Sequence, residues 1–167
     1  MTDLSGFNDG SADELRPRLL SLTDSPLWAT TLLERRPYAE LADLLAASDE
    51  IIRALPEEEV DAALAGHPRI GERAAGLDPE QAARSAREQA GMAAAGDSLQ
   101  AEMAAGNAAY EERFGRIYLV AAAGRSAEDL LAFLQERLHN DAVGELDVVR
   151  GELAMITRRR LTDELSG

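Results

Sequence analysis

The chain has 167 residues, 46% of them hydrophobic, which is enough for one domain with a substantial apolar core. It has no cysteine and two histidines, which excludes a disulfide scaffold, a cysteine nucleophile and a metal site built from several histidines. The formal net charge is −14, and such an acidic surface repels phosphate, so we expect no nucleic-acid partner. No apolar run approaches the roughly 20 residues that span a bilayer, and residues 1–10 lack signal-peptide features. We therefore expect no membrane association and a cytoplasmic location.

Alanine and leucine dominate the composition while aromatic and β-branched residues are scarce, which favours helices. Ser11 with Glu14 predicts a capping box at the start of one helix. Ser25 followed by Pro26 predicts the N-cap of the next, and Pro37 ends it.

The middle and the end of the chain carry further helix signals. The apolar stripe from Leu41 to Ile52 predicts a third helix, and three glutamates after Pro56 favour the first turn of a fourth that ends near Gly66. Capping residues at Asp78, at Asp97 or Ser98, and at Ser126 predict helices over about 78–95, 97–115 and 126–138, and a last helix is predicted over 141–165.

Two segments break the helical pattern. Residues 66–76 have no apolar periodicity, and residues 116–124 form a short apolar run between glycines. We therefore predict an all-α, single-domain bundle over residues 1–167, with about seven to eight helices and a short irregular or extended segment near 116–124. Residues 1–10 are predicted to be flexible.

The first candidate functional motif is His67-Pro-Arg-Ile-Gly71, directly after the predicted helix end at Gly66. Pro68 disfavours the α conformation for His67, so the imidazole is held on an extended corner. There it can form a hydrogen bond or transfer protons near neutral pH. The alternative is a surface turn in which the histidine satisfies helix-end carbonyls.

The second candidate motif is a polar helix face made by Ser85, Glu88 and Gln89, at positions i, i+3 and i+4. Its hydroxyl, carboxylate and amide suit a small ligand that forms hydrogen bonds. The alternative is an ordinary exposed ion pair between Arg84 and Glu88, worth ~0.3–0.5 kcal/mol.

Three further features could bear on function. The irregular segment 114–124 can turn unpaired backbone amides towards an oxyanion or a ring carbonyl, or it is a buried connector. Among Arg158, Arg159 and Arg160, one arginine could bind a carboxylate with two hydrogen bonds. His139 falls in the last turn of a predicted helix, where a cation is favourable, and we interpret it as structural.

Taken in order, these motifs resemble the 2-oxo-4-hydroxy-4-carboxy-5-ureidoimidazoline (OHCU) decarboxylase family, from about residue 20 to 165. The histidine-proline corner and the later Glu-Gln pair are specific only in combination. The chain departs from the family's pattern at Arg116, where the family often has an aromatic residue. The matching elements are Ser25-Pro-Leu-Trp28, Arg36-Pro-Tyr38, His67-Pro-Arg-Ile-Gly71, Ser85-x-x-Glu88-Gln89, Asn107-x-x-Tyr110-x-x-x-Phe114-Gly115, Gly124-Arg-Ser126 and Ile156-x-x-x-Arg160-Leu161.

The resemblance implies an all-α homodimer with no metal and no organic cofactor. It implies cofactor-free decarboxylation of the ureidoimidazoline to (S)-allantoin, the last step of urate breakdown, with His67 and Glu88 as catalytic residues. The implied substrate contacts are Pro68, Ser85, Ala86, Arg87, Glu88, Gln89, Tyr118, Leu119, Val120, Ala121, Ala122 and Arg160. Two other functions stay open: a non-catalytic acidic helical module that binds a partner protein, and an acid–base enzyme acting on another cyclic ureide.

Overall fold

The computed structural model describes residues 3–71 and 78–166, and all regular secondary structure in these ranges is helical. Eight of the helices have at least eight residues, which confirms the predicted all-α class. In the described ranges no helix combines the length and the hydropathy that a membrane span requires. The helices are α1 (Leu4–Asp9), α2 (Ala12–Leu22), α3 (Pro26–Glu34), α4 (Leu41–Arg53), α5 (Glu57–Leu64), α6 (Pro79–Glu88), α7 (Ala90–Ala93), α8 (Asp97–Phe114), α9 (Ala127–Arg137) and α10 (Ala142–Ser166).

Predicted caps begin several of these helices. Ser25 Oγ accepts a hydrogen bond from the Trp28 N–H at 3.1 Å, with Pro26 as the first helical residue of α3. Ser126 Oγ accepts from the Asp129 N–H at 3.1 Å at the start of α9. These side chains satisfy amide groups that the first turn of a helix leaves without partners.

Helix α1 lies where the sequence predicts flexibility. Asp3 caps it through its side chain, and Phe7 is buried with its ring centroid 6.3 Å from that of Tyr38. Arg36 Nη1 donates to the carbonyls of Phe7 at 2.9 Å and Gly10 at 2.7 Å. These long-range contacts stabilise a helix that is too short to form alone, and the flexibility of residues 1–10 stays a prediction.

Two other boundaries differ from the prediction. The N-cap of α8 is Gly96 rather than Asp97 or Ser98, so Asp97 instead places negative charge in the first turn. The helix predicted over 78–95 is interrupted at Gln89, which separates α6 from α7. The predicted non-helical segment 66–76 is confirmed up to Gly71, and its remainder lies outside the described residues.

The chain divides into two compact units. The first contains the described residues up to Ala63 and from Arg150 onwards, and the second runs from Leu64 to Val149. In the first unit Trp28 is fully buried, and its indole Nε1 donates to Ser48 Oγ at 2.9 Å. That the two units form the single predicted domain stays a prediction.

The second unit contains every predicted site residue except Arg160 and has its own core. This core joins the residues after α5 with α7, α8, the segment between α8 and α9, and α9. Its buried members are Ile70, Met92, Met103, Tyr110, Tyr118, Val120, Ala122, Ala127, Leu130, Leu131 and Leu134.

Two glycine-to-alanine changes should have opposite effects on the free energy of unfolding. In α7, a Cβ at Gly91 would collide with the backbone carbonyl oxygen of Arg125, so Gly91→Ala should destabilise the protein by about 1–3 kcal/mol. In α10, a Cβ at Gly151 would meet only an Arg53 side-chain nitrogen, at 3.5 Å. Gly151→Ala should therefore stabilise the protein by up to about 1 kcal/mol, through helix propensity. Urea denaturation of both variants measures the two effects, and equal values would contradict the packing at Gly91.

Candidate active site

The His67 corner begins where α5 ends. The backbone N–H of His67 donates to the Leu64 carbonyl at 2.9 Å, so a main-chain group satisfies this helix-end acceptor. His67 and Pro68 are half-buried, and Ile70 is buried in the core of the second unit. The histidine therefore lies just beyond a helix terminus, as predicted.

Helix α8 holds this corner at two points. Arg69 and Glu111 form a two-point ion pair, with Nε 2.9 Å from Oε2 and Nη2 2.7 Å from Oε1. Asn107, which is buried, donates from Nδ2 to the Ile70 carbonyl at 3.0 Å. Since α8 is a long regular helix, these contacts place the backbone after His67 on a rigid support.

A third contact joins the corner to the predicted polar helix face. The Gly71 N–H donates to Gln89 Oε1 at 2.8 Å. Gly71 has a φ of +89°, a left-handed conformation that glycine adopts without strain. Gln89 is the C-cap of α6 and directly follows Glu88. The two motifs that carry the predicted catalytic residues are thus linked by a direct hydrogen bond.

The side chains of the Ser85–Gln89 stretch differ in exposure. Ser85 is buried, and Glu88 and Gln89 are half-buried. Ala86 and Arg87 are exposed on the other side of the helix. The face predicted from the i, i+3 and i+4 spacing is therefore the inward face of α6.

The segment between α8 and α9 has no regular secondary structure, which confirms the predicted irregular stretch. Tyr118, Leu119, Val120 and Ala122 are nevertheless buried. Tyr118 Oη donates to the Leu130 carbonyl at 2.9 Å. Among the described residues, none accepts a hydrogen bond from the backbone N–H of Leu119, Val120 or Ala122. The segment is a buried connector that also keeps amide donors available.

A buried ion pair behind this segment is not predicted from the sequence. Arg137, at the end of α9, is 1% exposed and donates from Nε to Glu145 Oε1 at 2.7 Å. Its Nη1 donates to the Leu119 carbonyl at 2.6 Å. Its guanidinium carbon lies 4.8 Å from the centroid of the Tyr118 ring, which is suitable for a cation–π contact.

The electrostatics of this cluster favour a charged arginine. Burial, the largest single influence, lowers the pKa of Arg137, but the hydrogen bond to Glu145 and the charge interactions with Tyr110, Glu145 and Tyr118 together outweigh it, and the net pKa is raised. Burial, followed by the hydrogen bond to Glu145, raises the pKa of Tyr110 well above its usual range. No spacing rule identifies Arg137 and Glu145 in advance, because they lie on different helices and are brought together by tertiary packing.

The arginine triplet lies in the first unit. Arg158 Nη1 is 2.6 Å from Asp49 Oδ2, and Arg159 is exposed. Arg160 is half-buried and donates from Nη1 to the Leu22 carbonyl at 2.6 Å. Arg160 is therefore the member of the triplet whose side chain is directed into its unit.

The exposed surface bears on the alternative of a protein-binding module. Among the described residues, three large hydrophobic side chains are exposed, Leu27, Val143 and Met155. Val143 and Met155 are twelve residues apart on α10, a spacing that turns them to different faces of the helix. Scattered apolar residues of this kind are common on monomeric surfaces and do not form a docking stripe.

Comparison with known proteins agrees with the family that the sequence motifs resemble. The chain matches the family model described as OHCU decarboxylase over residues 8–162. It is similar to the 2-oxo-4-hydroxy-4-carboxy-5-ureidoimidazoline decarboxylases of Amia calva and Mus musculus, at 33% identity over 143 and 145 residues. These alignments cover 83% and 84% of this chain and 79% of each relative.

The fold has a counterpart among solved structures. A crystal structure of OHCU decarboxylase in the presence of (S)-allantoin matches with a TM-score of 0.75 and 21% identity. The match covers 95% of this chain and 100% of the other. At 21% identity, this similarity supports the fold alone.

Proposed function

The chain belongs to the OHCU decarboxylase family and is a carboxy-lyase that converts OHCU to allantoin in urate degradation, and from this premise we propose that His67 and Glu88 are its catalytic residues. The observation that carries the proposal is the hydrogen bond between the Gly71 N–H and Gln89 Oε1 at 2.8 Å. It joins the loop that follows His67 to the residue that follows Glu88.

The substrate supplies its own electron sink, so the proposed reaction proceeds without an organic cofactor or a metal. The bond between the hydroxyl-bearing ring carbon and the carboxylate breaks, and CO2 leaves. The electron pair forms a double bond to the neighbouring ring carbon, while the electrons of the ring C=N move to nitrogen, which takes a proton. The resulting enol loses its hydroxyl proton and gains a proton on the neighbouring carbon, which yields allantoin.

In this mechanism the protein orients the ring and moves protons. His67 hydrogen-bonds the ring hydroxyl as the carboxylate leaves and accepts its proton when the enol is converted to allantoin. Glu88 orients His67 or the ring, and its negative charge disfavours the ground state of the substrate carboxylate. Protonation on one face of the enol gives the S product.

The remaining proposed contacts, apart from Arg160, lie in the same unit as this pair. Pro68, Ser85, Glu88 and Gln89 contact the ring, and the backbone from Tyr118 to Ala122 donates to substrate oxygens. Contacts from the exposed Ala86 and Arg87 stay predictions. The buried Ser85 and the available amides of Leu119, Val120 and Ala122 support these assignments. The role of Arg160 as a substrate contact through its guanidinium stays a prediction.

A coupled assay tests the reaction. Urate is oxidised freshly by urate oxidase, hydroxyisourate hydrolase forms OHCU, and the protein is then added. We expect faster decay of OHCU and a circular-dichroism signal for (S)-allantoin. Decay at the spontaneous rate with racemic product would overturn the function.

The link between the two motifs makes its own prediction. Gln89→Met keeps the length of the side chain but removes the acceptor of the Gly71 N–H, so the His67 loop loses a fixed point. A net hydrogen bond is worth about 0.5–1.5 kcal/mol, so we expect kcat/KM to fall about two- to tenfold in the coupled assay. Because Gln89 is also a proposed substrate contact, hydrogen exchange at the Gly71 amide measures the loss of the link separately. A Gln89→Met enzyme with the kcat/KM of the wild type would show that this link does not support catalysis.

The family resemblance also supports a homodimer in the cytoplasm, which we propose for this chain. Light scattering coupled to size-exclusion chromatography measures the mass directly. A mass near twice the 18.0 kDa of one chain is expected, and a monomer at assay concentration would contradict the proposal.

A further inference from the structure

The irregular segment between α8 and α9 needs support from outside, because neither a helix nor a strand orients its peptide groups. Leu119 and Val120 are buried, but burial of their side chains does not by itself set the orientation of the peptide plane between them. In the proposed function, this backbone donates to the substrate. The orientation of that plane therefore matters for binding.

We infer that Arg137, held by Glu145, is a positioning residue for the reaction, because it orients the peptide group between Leu119 and Val120. Arg137 Nη1 donates to the Leu119 carbonyl at 2.6 Å. In a planar trans peptide, the carbonyl and the following N–H point in opposite directions. The Val120 N–H is therefore directed away from Arg137. It has no acceptor among the described residues, so it can donate to a carbonyl or carboxylate oxygen of the substrate.

The pair is itself rigidly held. Glu145 is fully buried and also accepts from Asn140 Nδ2 at 3.0 Å. The guanidinium of Arg137 lies against the rings of Tyr118 and Phe133, with its central carbon 4.8 and 5.2 Å from their centroids. Buried ion pairs are often no more stabilising than apolar residues of similar size. A role in orienting the backbone of the segment accounts for the hydrogen bond from Arg137 to the Leu119 carbonyl.

The inference rests on the proposed function, and the test separates the two. The double variant Arg137→Met/Glu145→Gln removes the bond to Leu119 without leaving an unpaired buried charge. We expect backbone amides of the segment to exchange hydrogen at least tenfold faster by mass spectrometry. In the coupled assay, we expect KM to rise at least threefold and kcat/KM to fall at least tenfold. Partial unfolding lowers kcat with the active fraction and leaves KM unchanged, so the KM readout distinguishes positioning from stability.

The matched control is Arg36→Met, which removes an arginine that also donates to backbone carbonyls but lies in the first unit. It should change neither the exchange of the segment nor KM. If the double variant does not fold, Arg137→Lys keeps the charge but replaces the planar guanidinium, whose separate nitrogens bind Glu145 and Leu119, with one ammonium group. Unchanged exchange, or unchanged KM in a folded variant, overturns the inference. Absence of activity in the wild type overturns the proposed function. It also overturns the role of Arg137 in the reaction, even if hydrogen exchange in the segment responds to the substitution.

Discussion

Replacing His67 with alanine should lower kcat by about 10²–10⁴-fold, the contribution expected of a positioned acid–base group. His67 is half-buried at a corner held by α8 and by Gln89, so its position is set by the surrounding backbone. Because His67 is half-buried and is not a member of the buried core of the second unit, the fold should be retained. Glu88→Gln should lower kcat in the same range, since it removes the charge and keeps the shape. Both effects are measured in the coupled assay.

His139 provides the control for this prediction. It is the only other histidine in the chain, and it is exposed after the end of α9. His139→Ala should keep the kcat of the wild type within about twofold, because surface substitutions away from a site have small effects. Near wild-type turnover in both His67→Ala and Glu88→Gln would remove these residues from the mechanism.

Arg137→Met should lower the free energy of unfolding by about 3–5 kcal/mol, because it leaves Glu145 buried without its cationic partner. Guanidinium or urea denaturation followed by circular dichroism measures the loss. The double variant Arg137→Met/Glu145→Gln should recover more than half of it, since the uncompensated charge is gone.

An exposed pair offers the comparison. Arg158 and Asp49 are 2.6 Å apart, but the arginine side chain is 45% exposed. Arg158→Met should therefore cost no more than about 1 kcal/mol. If Arg137→Met lowered the free energy of unfolding as little as Arg158→Met does, the loss of a partner for buried Glu145 would have no larger cost than the loss of an exposed ion pair.

The helical class and most helix starts follow from local chemistry. Ser25 and Ser126 cap helices by accepting from backbone amides three residues further along the chain, and Pro26 suits a first turn. These features can therefore be predicted from short stretches of sequence. The glycine-bounded run at 116–124 likewise predicts its irregular structure. The motifs containing His67 and Glu88 are visible for the same reason, since proline geometry and helical spacing act within a few residues.

Long-range packing decides the rest. The helix at Leu4–Asp9 is stabilised by Arg36, and the break at Gln89 coincides with a hydrogen bond to Gly71. The partnership of Arg137 with Glu145 also joins separate helices. In each case the interacting groups are distant in sequence or on different elements. Hydrophobic periodicity and capping residues therefore do not predict these contacts. Their energies arise only when folding removes the groups from water and sets their geometry.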